Sequence, residues 1–260
     1  MHKLINQDRL PSSFLQQLGT FPWYDSSVLN SSTPALEPGS IWCDQDTGNW
    51  FMYYQAGEGL TNGLVLYQQA PAAVAVVNAA STVATTVLNS AGWTANAEIG
   101  NWIYFDNGGS SPGPTIRKIK ANAASTVTVS LRDMNSTLNQ NDADALSAVL
   151  TNGTNSSTYR PNILLKCTNA KVPVGIALAT VTSTYYSVAQ IGGLALVSAI
   201  GNGTATVVDE PAKLSATAGS IMGTGAAAAV YCGLTIRPQY AFAGAGPQLI
   251  PCHVNFRGTV

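Results

Sequence analysis

The sequence predicts an all-β (mainly β) protein with a sandwich- or barrel-like body of short strands, an extended N-terminal arm and a β-rich inserted subdomain. Two observations lead to this prediction. Short runs of β-branched and aromatic residues recur along the 260 residues, and 24 glycines are distributed among them, many at positions suited to turns. Several runs alternate between apolar and polar residues, as from Thr126 to Leu131, which is typical of a strand with one buried face. We therefore expect less than about 15% helix, against an average of about 30–35%.

Residues 1–38 are expected to form the arm, with helix only from Ser12 to Leu18. Prolines interrupt any regular strand ladder in this stretch, at Pro11, Pro22, Pro34 and Pro38. The stretch also carries large apolar side chains that it cannot bury within itself, namely Phe14, Leu15, Phe21, Trp23 and Tyr24. Leaving such side chains in water forgoes roughly 1.5–3 kcal/mol each. We therefore expect the arm to dock on a neighbouring subunit or on a partner assembly, with docking along its own domain as the alternative.

The main β domain is expected to combine residues 39–70 with residues 166–260. In the first part, the sequence Asp46-Thr47-Gly48-Asn49 lies between two strands rich in aromatic residues. It is predicted to be a hairpin turn in which Gly48 supplies a positive φ. In the second part, the pair Gly192-Gly193 is expected to separate a strand that ends at Ile191 from another that begins at Leu194.

Residues 71–165 differ in composition and are expected to form the inserted β-rich subdomain. Strands are predicted at Asn101 to Phe105, Thr115 to Lys120 and Thr126 to Leu131, where apolar and aromatic residues cluster or alternate. The segment Asp142 to Leu150 is the best helix candidate, because Asn141 is a suitable cap for its first turn.

Charge is scarce in this sequence. Asp, Glu, Lys and Arg make up 10% of the residues, against about 25% in an average soluble domain, and the formal net charge is -1. A surface with few charges repels its neighbours weakly, which favours assembly with other chains. A nucleic-acid partner is not expected, because phosphate neutralisation requires clustered Lys and Arg.

The remaining global features predict neither a membrane protein nor a secreted one. No run of 18 apolar residues exists, so no transmembrane helix is expected, and the N-terminus turns polar after Leu4 and Ile5, so no signal peptide is expected. The cysteines are widely spaced and match no zinc pattern: Cys43, Cys167, Cys232 and Cys252. We expect them to be free thiols of a protein made in a reducing cytoplasm.

Motifs that resemble catalytic or metal sites all lack a necessary part. The sequence Gly109-Ser110-Ser111-Pro112-Gly113 matches the nucleophile elbow of serine hydrolases, but the strand-like residues after it do not supply the required helix. The sequence Asp44 to Gly48 resembles the start of a calcium loop, but Gln55 stands where a bidentate Glu is needed. His253 has no other histidine nearby in sequence and is expected to be a core or interface residue. We predict no catalytic residue, no metal site and no cofactor.

Two groups of residues are candidates for contact with a partner. Arg117, Lys118 and Lys120 form the one basic cluster, which is either a solvated strand face or a contact with phosphates or an acidic patch. The second group consists of aromatic residues that would suit a sugar-stacking platform, although aromatics on strands are ordinarily core residues: Trp42, Trp50, Trp93, Trp102, Tyr53 and Tyr54.

Two segments of the main β domain share the pattern of a known family. The first is PGSIW at 38–42, followed by GNWFMYYQA at 48–56, and the second is VGIALATVTSTYYSVAQIGG at 174–193. Together they resemble capsid cement, or decoration, proteins of tailed phages. The resemblance covers roughly residues 38–70 and 172–260. Ser187 and Ala189 stand where that family usually has Gly and Val.

This resemblance implies a β-rich subunit that assembles, often as a homotrimer, on the outer capsid surface of a virion. Its partners would be the major capsid protein and further copies of itself, after synthesis in the host cytoplasm. The resemblance implies no catalysis and transfers no site residues. The candidate interface residues therefore remain the five apolar residues of the arm and the basic cluster at 117–120.

Other functions predict different sequence features. A carbohydrate-binding head fibre or spike of a phage virion is the alternative, although a spike usually shows long β-helical repeats and none is present. A hydrolase that uses Ser111 needs an acid–base pair, and the chain has only two histidines. A major capsid protein usually carries a long charged helix, which no segment here predicts.

Overall fold

The structure is a computed structural model of the chain. It describes residues 29–44, 47–71, 75–78, 81–82, 86–89, 92–106, 115–130, 155–168, 170–201, 208, 212–222, 236–242 and 246–257. Fifteen strands lie in these residues and account for 55% of them, which confirms that the protein is all-β. The helices expected at 12–18 and 142–150 lie outside the described residues.

In chain order the strands are β1 (Ile41–Cys43), β2 (Trp50–Ala56), β3 (Val65–Gln69), β4 (Ala75–Val77), β5 (Thr86–Asn89), β6 (Trp102–Asp106), β7 (Thr115–Asn122), β8 (Thr126–Val129), β9 (Asn155–Lys166), β10 (Gly175–Ala177), β11 (Tyr186–Gly201), β12 (Lys213–Leu214), β13 (Ile221–Met222), β14 (Ile236–Pro238) and β15 (Gly246–Asn255).

The chain divides into two compact units. The body unit combines the chain up to Gln69 with the chain from Asn162 onward, and the inserted unit runs from Ala70 to Pro161. Strand β9 crosses the second boundary and contributes its first part to the inserted unit and its last part to the body unit. The insertion was expected from the sequence at 71–165.

A ring of paired strands forms the body unit. Strand β11 pairs antiparallel with both β2 and β10, β10 pairs antiparallel with β3, and β3 lies next to β9. The parallel pairing of Gln55 with Ile163 joins β9 to β2 and closes the ring. A closed ring leaves no strand edge exposed among its members, so the backbone groups of these strands bond within the unit.

Strand β2 is buried on both of its faces. Met52, Tyr54 and Ala56 belong to the core inside the ring, whereas Phe51 and Tyr53 point outward. A second cluster, here called the arm cluster, covers the outward side and consists of Leu29, Leu36, Trp42, Phe51, Tyr53, Tyr186 and Val188. An uninterrupted apolar run such as that of β2 is the pattern expected for a strand covered on both sides.

The end of the N-terminal arm packs on its own domain. Within 29–38, the N–H of Ala35 donates a hydrogen bond of 2.9 Å to the hydroxyl of Tyr53. Ser31 and Tyr186 exchange two backbone hydrogen bonds of 3.1 and 2.8 Å. The expectation that the arm docks elsewhere is therefore wrong for these residues, because the outer face of the ring offers them an apolar surface.

The hairpin between β1 and β2 confirms the turn predicted from the sequence. Gly48 has a φ of 72°, and its N–H donates to the carbonyl of Asp44. The N–H of Asp44 in turn donates to the carbonyl of Asn49, which closes the hairpin.

Strand β11 is one strand of 16 residues that passes through Gly192 and Gly193, so the break expected at these glycines is wrong. Its first part pairs with β2 up to a bulge between Gln190 and Gly192, and the part from Gly192 to Gly201 pairs with β15. These two glycines allow neighbouring side chains to approach the backbone closely, and they do not form a turn. Gly193 has a φ of 96°, and a Cβ there would overlap the side chain of Asn49.

The inserted unit is a second closed ring of strands, all paired antiparallel. Its order is β4-β5-β8-β7-β6-β9, and β9 pairs with β4 on its other side. The strands β6, β7 and β8 are successive neighbours and β9 returns beside β6, which is the Greek-key order. The predicted strands at 101–105, 115–120 and 126–131 correspond to β6, β7 and β8. The core inside this ring contains Val77, Trp93, Ile103, Phe105, Ile119, Val127 and Val129.

Candidate assembly surface

An exposed apolar face lies on the ribbon formed by the second part of β11 and by β15. In this antiparallel pair Leu194 lies opposite His253, Leu196 opposite Pro251, and Ser198 opposite Leu249. Directly opposite residues of neighbouring strands point to the same side of a sheet. The intervening residues point to the other side and are buried in the body core: Ala195, Val197, Ile250, Cys252 and Val254.

The leucines of this face are open to solvent. Leu194 is 57% exposed, Leu196 53% and Leu249 39%. We call the surface formed by Leu194, Leu196, Leu249, Pro251 and His253 the leucine face. Single exposed apolar residues are common on soluble proteins, whereas neighbouring ones on a regular sheet face are typical of an interaction site.

Gly63, in the loop before β3, contacts the chain at one end of the leucine face. The carbonyl of Gly63 accepts a 2.8 Å hydrogen bond from the N–H of Ser198. Gly63 has a φ of 80°, and a Cβ there would overlap a methyl group of Leu249. The hydroxyls of Ser198 and Ser220 lie 2.9 Å apart and are buried, which closes this end of the face with polar groups.

The opposite side of the leucine face is bordered by β14. Arg237 lies opposite His253 in the pairing of β14 with β15, so the guanidinium shares the side of the exposed leucines. The N–H of Gln239 donates to the carbonyl of Pro251, and Tyr240 follows with 57% of its surface exposed. His253 is itself exposed, so the core role that the sequence left open for it is wrong, and the interface role stays a prediction.

The basic cluster predicted at 117–120 is divided between the two faces of β7. Arg117 is fully buried and shares the inward face of the strand with Thr115 and Ile119. The expectation that Arg117 lies on a surface is therefore wrong, because strand alternation separates it from its neighbours. Lys118 is half-buried with its Nζ 5.7 Å from the centre of the Trp102 ring, and Lys120 is exposed. The other predicted interface residues, Phe14, Leu15, Phe21, Trp23 and Tyr24, lie outside the described residues.

The aromatic residues proposed for a sugar platform do not form one surface. Trp42, Tyr53 and Tyr54 are buried in the body unit, and Trp93 is buried in the inserted unit. Trp50 is half-buried, and the guanidinium of Arg257 lies 5.3 Å from the centre of its ring. Trp102 is half-buried on the inserted unit. Four of the six residues are therefore core residues, and Trp50 and Trp102 are partly exposed.

The structure describes only some residues of the segments that resembled catalytic or metal sites. Strand β7 begins at Thr115, where a nucleophile elbow at Ser111 would need a helix, and Ser111 itself lies outside the described residues. Among the residues that the structure describes, no three His, Cys, Asp or Glu side chains converge to hold a metal ion. None of the described residues belongs to a helix long and apolar enough to cross a membrane.

The described cysteines are free thiols in the core or close to it. Cys167 and Cys252 are fully buried, and this burial raises the pKa of each thiol to about 12. Cys43 is half-buried, and its pKa is raised by burial and then by the nearby Asp44 carboxylate. Such thiols stay protonated at neutral pH, so none of the three is an activated nucleophile. Cys232 lies outside the described residues.

The leucine face was not predicted from the sequence. The run Leu194-Ala195-Leu196-Val197 is apolar at every position, which is the pattern of a strand covered on both sides. The chain leaves one side uncovered in the described residues. The sequence did hold one signal for this surface, which is the absence of charge. Neither the run at 194–197 nor the segment Gly246 to Asn255 contains a charged residue.

Comparison of the chain with protein-family models, with curated proteins and with solved structures found no match in any of the three. What the protein does is therefore inferred from its own residues and surfaces.

Proposed function

We propose that the protein is a non-enzymatic structural subunit of a phage virion, a capsid cement or decoration protein that binds and stabilises the outer surface of the head. Its partners are the major capsid protein and further copies of itself, with a trimer favoured. The observation that carries the proposal is the leucine face, with three neighbouring leucines exposed on one side of a regular sheet.

The rest of the molecule suits a static binding role. The leucine face stands on β11, and the same strand is part of the closed ring of the body unit, so the surface has a rigid support. Charged residues are few, so copies that crowd on a particle repel each other weakly. Many identical contacts on one particle multiply the effect of a modest interface. The resemblance of residues 38–70 and 172–260 to cement proteins supports the same role.

The first test is whether the protein sediments with assembled heads and at how many copies per particle. The second uses a double substitution, Leu194→Asp with Leu196→Asp, which puts two charges on the leucine face. We expect at least a tenfold loss of head binding or of self-association in light scattering, because the charges must be desolvated on contact. Val172→Asp is the control, since Val172 is 65% exposed in the same unit and is not part of the leucine face. A double variant that binds and self-associates like the wild type contradicts the proposal.

A further inference from the structure

A row of three side chains crosses the outer side of the inserted unit. Trp102 on β6 lies opposite Tyr159 on β9 and opposite Lys118 on β7. Because directly opposite residues share a face, these three side chains stand side by side on three adjacent strands. The row spans two strand spacings, about 10 Å. We call it the aromatic row.

The aromatic row stands on a rigid support. Behind it, Ile103, Phe105 and Ile119 fill the core of the inserted unit, and the strands that carry the row belong to a closed ring. Next to Tyr159, the guanidinium of Arg160 pairs with the buried carboxylate of Glu98, with Nε 3.0 Å from Oε2. Rings held on such a support need little ordering when a ligand binds, which preserves affinity.

The side chains of the row combine flat apolar surfaces with hydrogen-bond donors. Tyr159 is 45% exposed, Trp102 is half-buried, and the Lys118 ammonium lies beside the indole as a cation–π pair. Tyr104, two residues along β6 from Trp102, is also partly exposed on this side. A pyranose ring matches this chemistry, because its C–H faces pack on aromatic rings while its hydroxyls accept from the phenol and the ammonium.

The charge of the inserted unit excludes nucleic acid as the ligand of the row, and the small area of the row excludes a protein partner. Residues 70–161 contain five basic residues (Arg117, Lys118, Lys120, Arg132, Arg160) and five acidic residues (Glu98, Asp106, Asp133, Asp142, Asp144), so the formal charges of the inserted unit cancel. A polyanion such as nucleic acid requires an excess of Lys and Arg. A stable protein interface buries about 800 Å² on each partner, which is far more than a row of three side chains supplies.

We propose that the aromatic row of Tyr159, Trp102 and Lys118 is a carbohydrate-binding site for a short segment of a neutral, pyranose-based polysaccharide. The site lies on the inserted unit, so it does not depend on the leucine face or on the capsid role. A subunit fixed to a head through its body unit would gain an affinity for the glycans of a cell surface.

Calorimetric titration of the full chain with maltohexaose, cellohexaose and chitohexaose tests the proposal. We expect at least one of the three to bind with a Kd in the millimolar range or tighter. Tyr159→Ala and Trp102→Ala should each weaken that binding at least tenfold. Tyr240→Ala is the control, because Tyr240 is an exposed tyrosine of the body unit, and it should bind as the wild type does.

Thermal unfolding of each variant shows whether it is folded. If Trp102→Ala unfolds, Trp102→Leu together with Tyr159→Ala carries the test, since leucine fills the site without offering a flat ring. The proposal is overturned if none of the three oligosaccharides binds, or if binding survives in the folded variants. It is also overturned if a single-stranded oligothymidylate binds at the row and the oligosaccharides do not.

Discussion

The side chain of Asn49 accepts a 3.1 Å hydrogen bond from the N–H of Leu194, across the pair of glycines in β11. This bond lies where β11 leaves β2 and begins to pair with β15. It requires Gly193, because a Cβ at that position would overlap the carboxamide oxygen of Asn49.

Gly193→Ala should therefore destabilise the body unit. Gly193 has a φ of 96°, which alanine adopts only with strain, and the added methyl displaces Asn49 as well. We expect a loss of roughly 1–3 kcal/mol in the free energy of unfolding, measured by urea denaturation. Gly48→Ala separates the two causes, since Gly48 has a φ of 72° but open space around it, and Gly59→Ala has neither constraint. Equal effects at Gly193 and Gly48 would show that Asn49 contributes nothing.

Substitutions on the two sides of the β11–β15 ribbon should affect different properties. Leu196→Ala removes an exposed side chain, so the free energy of unfolding should change by less than about 0.5 kcal/mol. Ile250→Ala removes a side chain that is 1% exposed in the core and should cost roughly 2–5 kcal/mol. Denaturant unfolding of dilute protein measures both. A large loss for Leu196→Ala would mean that Leu196 serves the fold rather than a partner.

The ion pair of Glu98 and Arg160 should stabilise the inserted unit. Glu98→Ala leaves the Arg160 guanidinium mostly buried without its carboxylate. We expect a loss of roughly 3 kcal/mol, near the lower end for a broken buried pair, because the Arg160 side chain retains 16% exposure. Lys166→Gln is the control, since it removes the partly exposed, 3.7 Å pair with Glu58 and should cost less than about 1 kcal/mol. Unfolding followed by fluorescence compares them, and equal losses would contradict the prediction.

Stability should fall as the pH rises above about 9. Burial raises the pKa of Cys167 and Cys252 to about 12, from 9.0 for an exposed thiol. Both thiols stay protonated in the folded chain while the unfolded chain ionises, so stability is fully present below pH 9 and declines between pH 9 and pH 12. Urea unfolding at several pH values measures the slope.

The double variant Cys167→Ala with Cys252→Ala should flatten this slope between pH 9 and pH 10. A slope that remains above pH 10 is expected from Tyr54, because burial raises its pKa as well. In the native protein at pH 8, iodoacetamide should label Cys43 before either buried thiol. Rapid native labelling of Cys167 or Cys252 would contradict their burial.

Local features of the fold were predictable from the sequence, whereas its closure was not. The turn at Gly48 and the strands β6, β7 and β8 of the inserted unit follow from residue alternation and turn chemistry, which are properties of short stretches. The closure of the body ring depends on Gln55 meeting Ile163, and nothing near either residue encodes that pairing. Gly192 and Gly193 were assigned to a break because glycine permits both a turn and close approach.

The candidate surfaces likewise include features that the sequence predicts locally and features that depend on the whole fold. Once β7 was predicted as a strand, alternation alone places Arg117 on the opposite side from Lys118 and Lys120. The aromatic row required the register of three strands, since Tyr159 is distant in sequence from Trp102 and Lys118. The leucine face depends on which side of β11 the rest of the chain covers, which is a property of the whole body unit.

The position of the inserted unit within the chain sets an order of synthesis. Its described strands are complete once residue 166, the end of β9, has been synthesised, and they emerge from the ribosome before β10 and β11 do. Domains fold as units during translation, with the earliest complete one first. The inserted unit is therefore able to complete its strand pairings before β2 and β3 can pair with β11 and β10. Until residue 201 emerges, the body strands already made lack these partners and need protection from aggregation.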